Sequence, residues 1–399
     1  MLSLLYRREE IEQLVSELSG ADRIAFDTEF IRENTFYPKV ELIQVATRDR
    51  TWLVDAQKAK IQDLEPLLRV FEDPKILKIV HAAQGDQECL YTAYEALAKP
   101  SLDTAVAASL LGYGESIGLA NLLKSAMGVT LKKGHARTNW TQRPLPEQLL
   151  QYAAADVEHL VKLGDLLITD LEKEGRLAWA LELTSKWEDP AIYLPDPDGI
   201  AERLAVGGKL DDRAYSTLIG LVRWRESRVR ELNIPRRWLA DDAVLIDIAR
   251  VRPKDESHLA SFRGLNKGEL RNSGERILSI VEEYEKLPPP ARIRGVRLGI
   301  PTANETRVME LLKCYISILA DDLRISPRLL MTADQFFPIL RNKDQIRSVN
   351  DLVSRGLLGT AAANLIGEEV LAMVHGRRGL QVDGMTVRVV KLDAEKSRS

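Results

Sequence analysis

An α/β domain followed by all-helical units is the architecture that this 399-residue sequence predicts, and three observations carry it. Residues 1–190 interleave short runs rich in Ile and Val (RIAFDTEF, VELIQVAT, TWLVDA, KILKIVHA) with longer stretches of helical period such as IEQLVSEL and IQDLEPLLRVF. A segment crowded with Pro, Asp and Gly, DPAIYLPDPDGIAERLAVGG, follows from Asp189 to Gly208. Beyond it the strand-like runs stop, and amphipathic helical patterns continue to about Val374, broken once by KLPPPARIRG around Pro288 to Pro290.

Taken in order, RIAFDTEF reads as a strand on which Asp27 and Glu29, two apart, share one face. ILKIV is a strand that gives way to a helix at Gly85-Asp86-Gln87-Glu88, which makes Asp86 an N-cap candidate. Asp103 precedes the helical run TAVAASLL and reads as a cap. QYAAADVEH reads as a helix that places Tyr152 and Asp156, four apart, on one face. Residues 191–208 are expected to be a linker, 209–288 a first helical domain and 289–376 a second. Six identities at a constant offset (Leu232, Ile234, Arg237, Leu239, Ile248 and Arg250 with Leu323, Ile325, Arg328, Leu330, Ile339 and Arg341) suggest duplication, with two unrelated bundles of shared periodicity as the alternative. Residues 377–399 are expected to form a short β-appendage, a hairpin turning at Asp383-Gly384, and a charged tail.

Composition sets the class. A hydrophobic content of 45% with 29% charged residues is that of a folded globular chain, not a disordered one. The formal net charge of −3 excludes a uniformly basic nucleic-acid binder but not local basic patches. Cys89 and Cys314, the two cysteines, are too distant in sequence for a zinc knuckle or a CxxC pair. MLSLLY runs at once into RREE without a long apolar region, and no apolar run approaches a membrane span, so the expected location is cytoplasmic.

The chemistry concentrates in Asp27, Glu29, Asp86, Tyr152 and Asp156. Four carboxylates brought to one spot repel one another unless cations neutralise them, and hard divalent ions such as Mg²⁺ take oxygen ligands of this kind. His81 follows a strand, but with carboxylates already present it reads as a hydrogen-bonded structural residue. Lys133, His135 and Arg137 share a polar loop and read as phosphate or RNA contacts. Between residues 223 and 237 six arginines face two glutamates, a local charge of +4. That stretch is either a solvated helix face or a phosphate-binding surface in which Arg236 and Arg237 bind RNA and Trp224 or Trp238 stacks on bases.

The order D-x-E, H-A-x-x-x-D, Y-A-A-x-D-V resembles the three motifs of the DEDDy 3′-5′ exonucleases. GLANLL at Gly118 and LKKGHARTNWTQRPLPEQLLQYAAADV from Leu131 to Val157 resemble the bacterial ribonuclease D version of that domain, and the helical half resembles its tandem HRDC modules. Asn139 and Lys132 depart from the Asp and the acidic residue expected there. The resemblance implies a ribonuclease H-like domain, a mixed sheet flanked by helices, followed by two small all-α HRDC-type domains. It also implies two divalent ions, Mg²⁺ or Mn²⁺, with Asp27 bridging them, Glu29 and Asp156 completing the first site, and Asp86 holding the second partly through water. Tyr152 would orient the attacking water, and nucleoside 5′-monophosphates would be released. RNA is the implied partner, especially tRNA precursors and other small structured RNAs, processed by a monomer. No G-x-x-x-x-G-K-[ST] loop is present, so neither a helicase motor nor a nucleotide cofactor is expected. Two rivals stay open at this point: the same domain acting on DNA ends, and a non-catalytic RNA-binding scaffold.

Overall fold

The computed structural model describes residues 3–131, 139–208, 210–287 and 302–392. Six strands make one sheet: β1 (Leu4–Leu5), β2 (Arg23–Ile31), β3 (Lys39–Ala46), β4 (Thr51–Val54), β5 (Leu77–Val80) and β6 (Ser101–Asp103). Their order is β1-β4-β3-β2-β5-β6. β2, β3 and β4 pair antiparallel, whereas β1 joins β4, and β5 joins β2 and β6, in parallel. The mixed sheet follows from the sequence, because β2 to β4 are joined by short turns, while the parallel connections each run through a helix.

Both faces of the sheet are covered, which is why these strands read as nearly continuous apolar runs. On one face Ile24, Phe26, Ile43 and Val45 pack with Ile11 and Leu14 of the Arg8–Leu18 helix and Leu67 and Phe71 of the Ile61–Glu72 helix. On the other, Ala25, Ala46, Ile79 and Leu102 meet Leu163, Leu167 and Leu171 of the Leu160–Lys173 helix. Gly164 permits that approach: a Cβ there would lie 2.9 Å from the Ile79 side chain.

The segment expected to be a linker is helical over Pro197–Gly208. Ala201 and Ala205 lie in the core of the first helical unit together with Leu218, Leu221, Leu245 and Ile277. Asp196 accepts a hydrogen bond from the Gly199 amide at the start of this helix, and the apolar period of IAERLAV outweighs the breakers before it. The unit continues through helices Asp212–Leu232, Arg236–Leu239, Asp242–Val251, Glu256–Leu259 and Lys267–Lys286. A similar series follows: Ala303–Leu323, Pro327–Leu330, Ala333–Arg341, Val349–Ser354 and Thr360–Val374. The first helix of each series has 21 residues and the second has 4. Each series turns the corner after its first helix on a left-handed residue, Asn233 in one and Arg324 in the other.

Both corners dock on the sheet domain. The Asn233 side-chain oxygen accepts from the Phe36 and Tyr37 amides, each at 3.1 Å, and the Arg236 guanidinium lies 4.9 Å over the Phe36 ring. At the second corner the Ser326 amide donates to the Ser109 carbonyl at 3.1 Å, and Arg328 pairs with Glu115 at 2.8 Å. Gly112, in the left-handed region, lies so close that a Cβ would sit 2.9 Å from the Arg324 carbonyl oxygen. The first unit keeps its own apolar cluster, whereas Leu312, Ile316, Ile325 and Phe336 join one that also contains Leu110 and Leu167.

The basic stretch is largely engaged within the molecule. Glu226, fully buried, receives Arg225 and Arg236, while Arg223 pairs with Asp198 and Arg228 with Glu269. Arg236, expected on sequence grounds to contact RNA, is thus occupied by Glu226 and Phe36, because the carboxylate that neutralises it lies one helical corner away. Arg237 and Trp238 remain exposed, Trp238 at 48%. After Val374, β7 (Arg378–Asp383) and β8 (Thr386–Lys391) form an antiparallel hairpin with Gly384 in its turn.

Candidate active site

β2 carries Asp27 and Glu29 on the face covered by the Glu147–Glu158 helix, where Leu42 and Leu53 of the neighbouring strands pack with Leu149, Leu150, Ala153 and Ala154. Alternation along β2 and the four-residue repeat on the helix aim both acidic faces at the same place. Carboxylate oxygens of Asp27, Glu29 and Asp156 lie within 4.8 Å of one another. Among the described residues no ligand of nitrogen or sulfur belongs to the group, so the donors found there are all hard oxygens.

Asp86 arrives from the opposite edge of β2. The pairing of β5 with β2 ends at Ala25, and further along the Thr28 amide and hydroxyl both donate to the Asp86 Oδ1, at 3.0 and 2.6 Å. Asp86 stands at the third residue of the Gln84–Tyr94 helix rather than at its cap, which is Ala83. The turn before this helix is braced from β6: Asp103 accepts from the Ala82, Ala83 and Ala105 amides at 2.8–3.0 Å, holding Ala82 in the left-handed region. Asp103 therefore caps its own helix and also positions the one that bears Asp86. His81 Nδ1 lies 2.9 Å from the Thr104 hydroxyl, a structural partnership.

Burial raises every carboxyl group here, and for Asp27 and Glu29 the neighbouring carboxylates add to it. Burial, then Asp86, Asp156 and Glu29, push Asp27 well above the usual carboxylate range. Glu29 is pushed up to about 8 by burial and by Asp156 and Asp86. Burial raises Asp86 to about 7 against the stabilising bonds from Thr28, and raises Asp156 to about 6 against a hydrogen bond with Tyr152. The Tyr152 phenol, its ring 6.3 Å from that of Trp140, is pushed up to about 12 by burial and the surrounding carboxylates. A divalent cation fits both the negative charge of this cluster and its oxygen donors.

The comparisons with known proteins agree with this geometry. Residues 4–172 match the 3′-5′ exonuclease family and residues 220–281 the HRDC domain. A ribonuclease D from Gluconacetobacter diazotrophicus is 33% identical over 96% of this chain and 96% of its own length. The chain belongs to the ribonuclease D family. Another ribonuclease D, from Granulibacter bethesdensis, is 31% identical, with 97% of this chain and 96% of that one covered. The crystal structure of Escherichia coli RNase D, described as an exoribonuclease involved in structured RNA processing, superposes with a TM-score of 0.77 at 28% identity, covering 92% of this chain and 99% of the other. As a ribonuclease D the chain is a 3′-5′ exoribonuclease, with an exonuclease domain followed by an HRDC domain.

Sequence reasoning overlooked two residues of this ribonuclease D site. Thr28, between the two acidic residues of β2, fixes Asp86, a role that the spacing D-x-E conceals. Gln44 pairs with Asp27 across β2 and β3 and is fully buried, yet neither atom of its amide has a hydrogen-bond partner among the described residues. A Gln inside the apolar run VELIQVA was the available signal. Lys133, His135 and Arg137 lie outside the described residues.

Proposed function

We propose that Asp27, Glu29, Asp86 and Asp156 hold two divalent ions, Mg²⁺ or Mn²⁺, and that Tyr152 orients the water that attacks the terminal phosphodiester. The convergence of three carboxylates from two elements far apart in sequence carries this reading. Bound ions of this type neutralise the phosphate and its leaving oxygen and make water more acidic. The residues do the rest. Thr28 holds the Asp86 carboxylate in one orientation, so that it need not reorganise when substrate arrives. Tyr152, with its phenol pushed up to about 12, keeps its proton at neutral pH and acts by hydrogen bonding, not by abstracting a proton. Attack at phosphorus breaks the bond to the 3′-oxygen of the preceding nucleotide, and a nucleoside 5′-monophosphate leaves.

The natural substrates we propose are tRNA precursors and other small structured RNAs with free 3′ ends, trimmed in the cytoplasm by a monomer. The description of the E. coli relative as a processor of structured RNA supports this. We also take residues 1–190 as the exonuclease domain, 197–288, with the Pro197–Gly208 helix included, as a first HRDC domain and 289–376 as a second, HRDC-like one; the shared helix lengths and left-handed corners of the two series support a duplication. Arg237 with Trp238, and Lys133, His135 and Arg137, are the proposed RNA contacts of those domains.

The test is to incubate the purified chain with 3′-extended tRNA or matched DNA in Mg²⁺, Mn²⁺ or EDTA and to resolve products at single-nucleotide steps. Stepwise shortening of RNA that EDTA stops is the expected result. Preference for DNA, or inert binding, would refute it. Tyr152→Phe should slow turnover by about 10²–10⁴-fold, as loss of a positioning or acid–base group does.

A further inference from the structure

Gln44 places an amide in the interior of the sheet domain, on the face of β3 that looks towards the acidic centre. Leu42 and Ala46, both fully buried, flank it along the strand. Across the ladder it stands opposite Leu53 of β4 on one side and Asp27 of β2 on the other. Residues directly opposite in an antiparallel pair share a face, with Cβ atoms about 4.5–5.5 Å apart. Of these four neighbours Asp27 alone is polar.

Neither Nε2 nor Oε1 of Gln44 has a hydrogen-bond partner among the described residues. An unpaired amide in such surroundings costs the fold more than an apolar side chain of the same size, so stability does not account for it. Gln87, also fully buried in this domain, shows what a structural glutamine does: its amide donates to the Ala98 carbonyl at 2.7 Å and its oxygen accepts from the Ala98 amide at 2.9 Å. Asp27 has the complementary lack. Thr28 holds Asp86, and Tyr152 bonds Asp156, but no side chain among the described residues donates to Asp27. A carboxylate has about four lone-pair sites, more than two ions occupy, and keeps room for a donor. Carboxylates that ligate metals are ordinarily hydrogen-bonded themselves, and that bond fixes their orientation.

Resting on the two-ion reading of the site, we propose that Gln44 is a positioning residue whose Nε2 donates to the Asp27 carboxylate when cations are bound and so holds the bridging ligand in place. The terminal torsions of both side chains, χ3 of Gln and χ2 of Asp, are broad, so the bond forms by rotation without a shift of either strand. The amide therefore weakens the metal-free chain and strengthens the loaded one.

The test titrates Mn²⁺ by calorimetry into the full chain, stripped with EDTA and dialysed, for wild type, Gln44→Leu and Gln44→Met. Both variants should bind Mn²⁺ about tenfold more weakly, the lower end of what loss of a partner to a metal ligand brings. Both should also melt at or above the wild-type temperature in EDTA, a combination that a merely packed glutamine does not give. Unchanged Mn²⁺ affinity would overturn the proposal. Weaker binding together with a lower melting temperature in EDTA would overturn it too, because the loss would then come from a damaged sheet. Failure of the wild-type chain to take up Mn²⁺ would instead overturn the two-ion reading, whereas equal uptake by all three chains would overturn the role of Gln44 alone.

Discussion

Replacing Asp27 by Asn should make the metal-free protein more stable while destroying its response to metal. In the wild-type chain three carboxylate oxygens lie within 4.8 Å, and at that distance two unit charges repel by about 3.5 kcal/mol for an effective dielectric constant of about 20. The folded chain avoids part of this by keeping protons: Glu29 is pushed up to about 8, Asp86 to about 7 and Asp156 to about 6. Unfolded, the same groups release them near pH 4. The folded values are the higher ones, so their contribution is fully present below about pH 4 and is lost as pH rises through about 6 to 8. Asp27→Asn removes, at nearly constant shape, a carboxyl group whose ionisation the fold opposes. It should therefore stabilise the metal-free chain by about 1–3 kcal/mol at pH 8, or about 2–4 °C per kcal/mol for a domain of this size. The gap should close towards pH 4. Magnesium should raise the melting temperature of wild type far more than that of the variant. Scanning calorimetry in EDTA and in MgCl₂ from pH 4.5 to 8.5 checks both halves. Equal pH dependence of the two proteins in EDTA, or an equal gain on adding magnesium, would refute the reasoning.

Other substitutions probe the supports of the site. Thr28→Val removes one of two donors to Asp86 and should raise the magnesium concentration needed for half-maximal turnover about tenfold, from the loss of about 1.5 kcal/mol in a charge-assisted bond. Gln44→Leu replaces an unpartnered buried amide with a side chain of similar size, so denaturant titration should show stabilisation of about 1–3 kcal/mol. Lys78, fully buried, donates to the Asp73, Ile76 and Lys99 carbonyls; Lys78→Met should destabilise by about 2–4 kcal/mol, because three carbonyls lose their donor together. Asn233→Ala should speed hydrogen exchange at the Phe36 and Tyr37 amides, and unchanged protection there would show that the corner does not hold the β2–β3 loop.

What could be read from the chain divides by distance in sequence. Asp27 with Glu29, and Tyr152 with Asp156, were legible because strand and helix periods alone put each pair on one face. Asp86 was legible as an acidic residue at a helix start, but its grip by Thr28 depends on β5 leaving the edge of β2, a fact of tertiary structure. The same limit explains the arginines. A count of charges between residues 223 and 237 could not reveal that Asp198 and Glu269, from helices packed alongside, would take up Arg223 and Arg228. At residues 197–208 local breakers misled, because two small alanines that match a neighbouring helix surface decide the outcome.

The two helical units differ in what their loss would expose. The first has a self-contained interior, so excising it would leave little apolar surface bare. The second shares its interior with the sheet domain through Leu312, Ile316 and Ile325. A chain truncated ahead of residue 302 would present the stripped side of Leu110 and its neighbours to water. Poor solubility, rather than altered substrate choice, would then be the first symptom, and shortened versions designed for study should keep the last unit or cover that bared flank with polar residues.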